Sequence, residues 1–470
     1  MAARSWALGA LLAAATAQRA WNAWMVPPLT GYDGPGHAGY ILTILTEHRL
    51  PHPTEGWSTF HPPLYYLLGT AIWWALEPLG PQAVVAGLRL LGGLPGVAAG
   101  WVSYRLVRRL GGDFATAWMA AALVLFLPAA QMAAAMEGNE AFAAGVAAMA
   151  FLPLLALQRD PRDVRAAAMA GMFSGLAVIS KFSGFAVAAA GAVPFARRDL
   201  DARALRALGV AALLGLAVAA PVYARNVALT GRVFPMARDY EPMRSVEQKL
   251  IIRPRRVADY FWVDRDCLLR PSMFHLAGLP ARRNNRNPAM VSVPGLLHAS
   301  LWYDPFGHRV PIRYHEDGVR AGPTLVLLGL VPTAATLLGF AALVWRSVRS
   351  AGRAPEAPFV AMAALGTGAF LAYTWISQSS ASVKGSYLLP LAPAAAVFFA
   401  EGVRRVGRRA GAAVLAVSGL AVIAAAVVFT EGLVFDSDPL LGQRLLARWS
   451  VMMPSAHLTD AVTRLLGQPM

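Results

Sequence analysis

Charge is scarce in this sequence of 470 residues. Only 14% are Asp, Glu, Lys or Arg and 57% are apolar, whereas soluble chains carry roughly a quarter charged residues. That deficit excludes an ordinary set of soluble domains. Cysteine is nearly absent: lone Cys267 excludes an internal disulfide and any cysteine metal cluster. There are no alternating ten-residue strands, which excludes a membrane β-barrel. No P-loop, zinc-protease helix or serine nucleophile elbow is present, so those phosphate-cradling and hydrolytic chemistries are excluded. Nothing repeats at a fixed period, and no tract is of low complexity beyond alanine-rich helices.

What is present is a succession of apolar runs of about 17 to 23 residues, and about 20 such residues cross the hydrocarbon core as a helix. The net charge of +16 forms no stripe for nucleic acid. It sits in short arginine clusters between apolar runs: Arg105, Arg108 and Arg109; Arg159, Arg162 and Arg165; Arg197, Arg198, Arg203 and Arg206; Arg346, Arg349 and Arg353; Arg404, Arg405, Arg408 and Arg409. Connectors with at most one basic residue alternate with them, as the positive-inside rule requires of a polytopic helical membrane protein. The opening "MAARSWALGALLAAATAQ" has the marks of a signal peptide. Its apolar stretch runs past Arg19 to Val26, a spanning length, and reads as an uncleaved first helix.

Counting back from Arg105 makes 82–104 a crossing toward the arginine side. Residues 27–81 then lie wholly on the outer side. "HPPLYYLLGTAIWWAL" therefore cannot cross without inverting every cluster, and it reads as an interfacial or re-entrant helix. Pro62 and Pro63 suit its first turn; Tyr65, Tyr66, Trp73 and Trp74 suit the headgroup belt. Further crossings fall at 114–133, 140–157, 166–180, 182–196, 207–224, 322–345, 357–376, 387–401 and 411–430, about eleven in all. The organisation is a membrane region over 1–225 with its first outer loop (27–81), an outer segment 226–320, C-terminal helices over 321–430 and an outer tail 431–470. Gly92, Gly96 and Gly100 read as a close-packing stripe.

Candidate chemistry gathers at the outer helix ends. In "GYDGPGHAGY", Asp33 and His37 share one side of a helix beginning near residue 34, with Tyr40, Ile41, Ile44 and Leu45 as an apolar face on the bilayer. Asp33 also suits that helix's N-cap, a compatible role. "AMEGNEAF" places Glu137, Asn139 and Glu140 at a helix start, where carboxylates also complement the dipole. Lys181, in "SKFSG" between two short apolar helices, costs about 2.5 to 3.5 kcal/mol at mid-depth; it either snorkels or has an anionic partner. Arg225, which can grip a phosphate with two bonds, and Lys384, beside Tyr387, come to the same surface. Three cations around a carboxylate loop suggest an anionic ligand at the membrane face. His298, Asp304 and His308 in "LHASLWYDPFGH" are a weak metal candidate.

The order of these segments carries a resemblance. An acidic residue followed by His and Tyr, then "HPPLYYLL", "NE" opening a helix, "SKFSG", "RN...G..FP" and "KGSYLLPLAP" together resemble family 39 GT-C glycosyltransferases. That group includes protein O-mannosyltransferases and the aminoarabinose transferases of lipid A. The resemblance covers roughly residues 25–235 and 360–400. It implies an all-α GT-C fold and transfer of a hexosyl or pentosyl group from a polyprenyl-phosphate carrier to a lipid, glycan or protein acceptor. It makes Asp33 the catalytic base, acting with inversion. Lys181, Arg225 and Lys384 would hold the donor phosphate, and His37, His61, Tyr65, Glu137, Asn139, Glu140 and Tyr387 would contact substrate.

The implied location is the bacterial cytoplasmic membrane, with the site on its outer side. The family pattern has Asp-Glu where this chain has Asp33-Gly34, and an arginine where Ser386 stands; Lys384 is placed to supply that charge. Asp33, His37, His61, Glu137 and Glu140 are potential ligands of a divalent metal. Two other classes are a transporter or lipid flippase, which would place ionisable groups at the midplane and show inverted repeats, and a non-catalytic GT-C-like scaffold.

Overall fold

The computed structural model describes residues 2–31, 33–196, 200–241, 253–271, 288–306 and 321–434, with isolated positions 244, 248, 251, 436, 437 and 464. Among these residues every regular element is helical. α1 (Ala2–Met25) is followed by two short helices, α2 (Gly34–Glu47) and α3 (Leu64–Leu76), and by α4 (Pro81–Arg109). Then come α5 (Phe114–Phe126), α6 (Pro128–Ala134), α7 (Glu140–Ala148), α8 (Phe151–Arg159), α9 (Val164–Ser180), α10 (Gly184–Ala190) and α11 (Ala202–Thr230). Two short helices, α12 (Arg265–Leu269) and α13 (Val293–Trp302), precede α14 (Ala321–Arg349), α15 (Ala357–Ile376), α16 (Ala392–Arg405) and α17 (Arg408–Val428).

Seven of the described helical stretches are long and apolar enough to span, and an eighth is the pair α5–α6, bent by 47°. The bend falls at Leu127–Pro128, where proline supplies no N–H to continue the helix. The protein is thus a polytopic helical membrane protein. Of the eleven expected crossings, α1 and two shorter apolar stretches, Val164–Ser180 and Gly184–Phe195, fall outside this set. These last two are interrupted at Lys181, whose extended backbone ends α9.

The arginine-rich ends gather at one pole. Arg159 donates to the carbonyl of Arg109 at 2.6 Å, and Glu401 accepts from Arg404 and Arg405 at 2.6 and 2.9 Å. Asp113, Asp163 and Asp201 cap α5, α9 and α11 by accepting from backbone N–H groups three residues on. Each closes one orphan donor at a positive helix end.

Small residues let the helices approach. A methyl group at Gly402 would collide with the Ala335 carbonyl, one at Gly339 with that of Phe398, and one at Gly171 with that of Ala211. These contacts press α14 against α16 and α9 against α11. In the expected stripe, Gly100 faces Leu125 and Gly92 faces the Gly138 carbonyl at 3.4 Å from an added Cβ.

Two expectations for the first loop need correction. α3 has 13 residues and is about 20 Å long at 1.5 Å per residue, too short for a core about 30 Å thick. It does not span, yet it is no open aromatic belt either: Tyr65, Tyr66 and Trp73 are buried and Trp74 alone of the four is exposed. α2 likewise buries Tyr40 and Ile41 in a cluster with Tyr65, Val84 and Leu88 instead of laying them on lipid. Protein packing outcompetes the interface because α3 and α4 offer these rings a fitted surface. We expect Gly402→Ala to lower the thermal unfolding temperature in detergent. Gly209→Ala, at a site with open space around it, should leave it level or slightly raised, since alanine favours helix by about 1 kcal/mol.

Candidate active site

The site is assembled where α2, the α6–α7 connector, the α9–α10 break and the segment before α16 meet. Asp33 occupies the position before α2 with a left-handed backbone, φ 52° and ψ 7°, a region that aspartate tolerates better than most residues. Its side chain makes no capping bond, so the capping reading does not hold. The carboxylate is a quarter exposed and lies 3.7 Å from the Lys384 ammonium.

Lys181 has its anionic partner. Its ammonium donates to Glu140 at 2.7 Å and to the Asn139 side-chain oxygen at 3.4 Å. Asn139 in turn donates to the Ser180 carbonyl at 3.3 Å, tying the α7 start to the α9 end. Both lysines approach the Tyr387 ring, at 5.1 and 5.9 Å from its centroid, within cation–π range. The result is a half-buried tyrosine with an ammonium–carboxylate pair on either hand.

Behind Asp33 stands an aromatic stack. Tyr40 and Tyr66 stack at 3.8 Å, His37 lies 5.7 Å from Tyr66, and His61 5.6 Å from His37. The Tyr66 hydroxyl and His37 Nδ1 are 2.7 Å apart. Tyr65 packs edge-on to Tyr66 at 5.5 Å and its hydroxyl reaches the Leu88 carbonyl at 3.4 Å, so it builds the wall. Glycine at 138 matters here, because an added Cβ would sit 3.0 Å from a Glu140 oxygen and 3.4 Å from the His37 ring. His37 Nε2 and His61 Nδ1 are buried with no protein hydrogen-bond partner.

Glu137 has a different first task from the one expected. It pairs with Arg89 at 3.0 Å, both side chains fully buried, and accepts from the Leu29 N–H at 3.3 Å. Arg89 also donates to the carbonyls of Val26, Pro27 and Ala23. Together they fix the chain that leads from α1 to Asp33. The sequence does signal Arg89, as a lone arginine inside an apolar span. Tyr66 had no such signal.

Arg225 is committed elsewhere, donating to the Leu50 and Pro51 carbonyls at 3.0 and 2.8 Å. It clamps the first loop onto α11 and does not join the lysines at Tyr387. The weak metal candidate is likewise corrected: His298 Nε2 bonds the Val326 carbonyl at 2.9 Å, and His308 lies outside the described residues. No group of three or more metal-ligating side chains forms among the described residues. Of the five expected ligands, Glu137 and Glu140 are each in close contact with a cation and Asp33 lies 3.7 Å from Lys384.

Removing one partner of a buried pair leaves an unanswered charge, at a cost of about 3–5 kcal/mol. We therefore expect Arg89→Met to destabilise more than the double change with Glu137→Gln, measured by thermal unfolding. Burial also pushes the His61 imidazole well below its ordinary 6.5, and His37 below it, because desolvation disfavours the charged ring. Below pH 6.5 the unfolded chain takes up protons that the folded site refuses. Stability should be level above neutral pH and fall as pH drops toward the folded-state values. The fall should be shallower in His61→Asn.

No family model matches the chain, and no curated protein matches it in sequence. Solved structures do. The oligosaccharyltransferase of Archaeoglobus fulgidus in its apo form is 16% identical, with 97% of this chain and 57% of that one covered and a TM-score of 0.51. ArnT from Cupriavidus metallidurans bound to undecaprenyl phosphate is 15% identical over 98% of this chain and 85% of that one, at a TM-score of 0.46. The chain thus spans little more than half the length of the oligosaccharyltransferase. At such identities the likeness concerns architecture alone: the chain shares its GT-C fold with the oligosaccharyltransferase structure.

Proposed function

We propose that the protein is an integral-membrane glycosyltransferase that moves a sugar from a polyprenyl-phosphate carrier to an acceptor hydroxyl, with Asp33 as the base. The observation that carries this reading is the Asp33–Lys384 pair, 3.7 Å apart and only partly buried. Beside it Tyr387 separates it from the second pair, Lys181 and Glu140. A carboxylate with a free capping edge and a nearby ammonium is suited to split proton acceptance from charge stabilisation.

In this scheme Asp33 takes the acceptor's hydroxyl proton as its oxygen attacks the anomeric carbon. The bond from that carbon to the phosphate oxygen breaks, and the phosphate leaves with the electron pair. Lys384 and Lys181 face the charge that develops on it in a water-poor site. One displacement inverts the anomeric centre. The proton on Asp33 returns to the leaving phosphate or to water, which balances the step. His61 and His37, neutral and with unpartnered nitrogens, are placed to hydrogen-bond hydroxyls of sugar or acceptor. Arg225 shapes the loop and is not part of the phosphate site. No step runs through a metal. The proposed setting is the outer face of a bacterial cytoplasmic membrane, and a lipid-linked donor accounts for a site at the ends of membrane helices.

The test uses the full chain in nanodiscs with polyprenyl phosphates of mannose, glucose, galactose, arabinose and aminoarabinose, with candidate lipid and glycan acceptors. Release of polyprenyl phosphate is measured. Asp33→Asn should keep donor binding and lose about 10²- to 10⁴-fold in release, the range for a general base. Lys384→Met should weaken donor binding as well as turnover. Release undiminished in Asp33→Asn would overturn the assignment of the base. Absence of donor binding in the unaltered protein would turn the reading toward a transporter or scaffold.

A further inference from the structure

Residues 253–271 are welded to the end of a spanning helix. The Arg255 guanidinium is buried and donates to the carbonyls of Thr374, Ser377 and Ser379, which end α15, and to the Ser382 hydroxyl at 3.2 Å. Its N–H donates to the Gln378 side chain at 2.6 Å. The Tyr260 hydroxyl lies 3.1 Å from that of Thr374, and its ring 5.9 Å from Trp375. α15 passes as a membrane span, so its last turn, with Trp375 and Ile376 half exposed, marks the depth of one membrane boundary. Lys384, which pairs with Asp33, follows shortly after, so this is the boundary on the side of the site.

At that depth the segment turns large apolar groups outward. Phe261 is 82% exposed and Val257 65%, with Val263 and Leu269 also exposed. Arg256, Arg265 and Arg270 are exposed among them. The local acids are largely spent inside the segment: Asp259 pairs with Arg253 at 2.6 Å and accepts from the Arg256 N–H, and Asp264 caps α12 through the Asp266 N–H at 2.8 Å. Exposed apolar side chains with interspersed arginines, held at a boundary, match the composition of an element lying in a bilayer interface.

We propose that residues 256–270 form a membrane-surface hook. Val257, Phe261 and Val263 enter the boundary between headgroups and acyl chains, and Arg256, Arg265 and Arg270 meet lipid phosphates. The partner is the bilayer itself, enriched in anionic lipid, and not the sugar donor. The hook stands independently of the transferase reading. It holds residues 253–271 flat on the membrane beside the site, where apolar surface and phosphate lie at adjacent depths.

Cys267 makes the test clean. It is buried and its thiol is pushed up to about 12 by that burial, so it reacts slowly with thiol reagents. A nitroxide is attached to Phe261→Cys and Val257→Cys, and to Arg162→Cys as an aqueous reference on an exposed side chain. The full-length proteins are placed in nanodiscs, and collision with oxygen is compared with collision with a water-soluble nickel chelate. Severalfold higher oxygen-to-nickel ratios at 257 and 261 than at 162 are expected. The ratios should rise again when phosphatidylglycerol replaces part of a zwitterionic bilayer. Ratios equal to those at 162 in both bilayers would overturn the hook. A high ratio without response to phosphatidylglycerol would overturn the role given to the arginines. Size exclusion of each labelled variant guards against misfolding, and the two hook positions check one another.

Discussion

The fully buried pair of Arg89 and Glu137 is the contact on which the site depends. Neither charge could stay in a membrane domain alone, and their attraction has to offset the loss of water from both. The pair does so with help: the two terminal nitrogens of Arg89 also donate to carbonyls at the end of α1 and just beyond, and Glu137 accepts from the Leu29 N–H. The same atoms that neutralise the charges therefore fix the backbone leading into Asp33. Removing either group would loosen the loop as well as leave a charge unanswered.

That rule of local neutrality extends across the site. Lys181 meets Glu140, and Lys384 meets Asp33. The two pairs differ in burial and closeness. Lys181 and Glu140 are in full hydrogen-bond contact and nearly buried, while Asp33 is more open and its partner stands farther off. The histidines behind Asp33 lie in the same low-dielectric surroundings, and their burial disfavours the charged ring.

Much of the site was legible as a set of residue types and little of it as a set of contacts. Lys181 advertised itself because a lysine within an apolar hairpin demands a reason. Glu140 could be proposed near it because both fall at helix ends on the same side. Arg225 misled, since an arginine at a helix end looks alike whether it grips a phosphate or the carbonyls of Leu50 and Pro51. The tyrosines of "HPPLYYLL" also misled: their composition suits a headgroup belt, but α2 and α4 bury them. Whether a ring meets lipid or protein depends on what packs beside it, and no local pattern records that.

By itself the sequence determined that this is a helical membrane protein, because long apolar runs in lipid must satisfy their backbone groups within helices. It determined the alternation of the connectors, because arginine is costly to translocate. It also gave reason to expect that α3 does not cross, because a crossing there would invert every later helix, and the 13 residues of α3 agree with that. The tertiary structure alone decided which cation answers which carboxylate. Asp33 and Lys384 lie far apart along the chain, and Arg89 comes from α4 while Glu137 comes from the α6–α7 connector. Their meeting depends on how glycine- and alanine-lined helices settle against one another, a matter of fit in three dimensions that spacing along the chain does not encode.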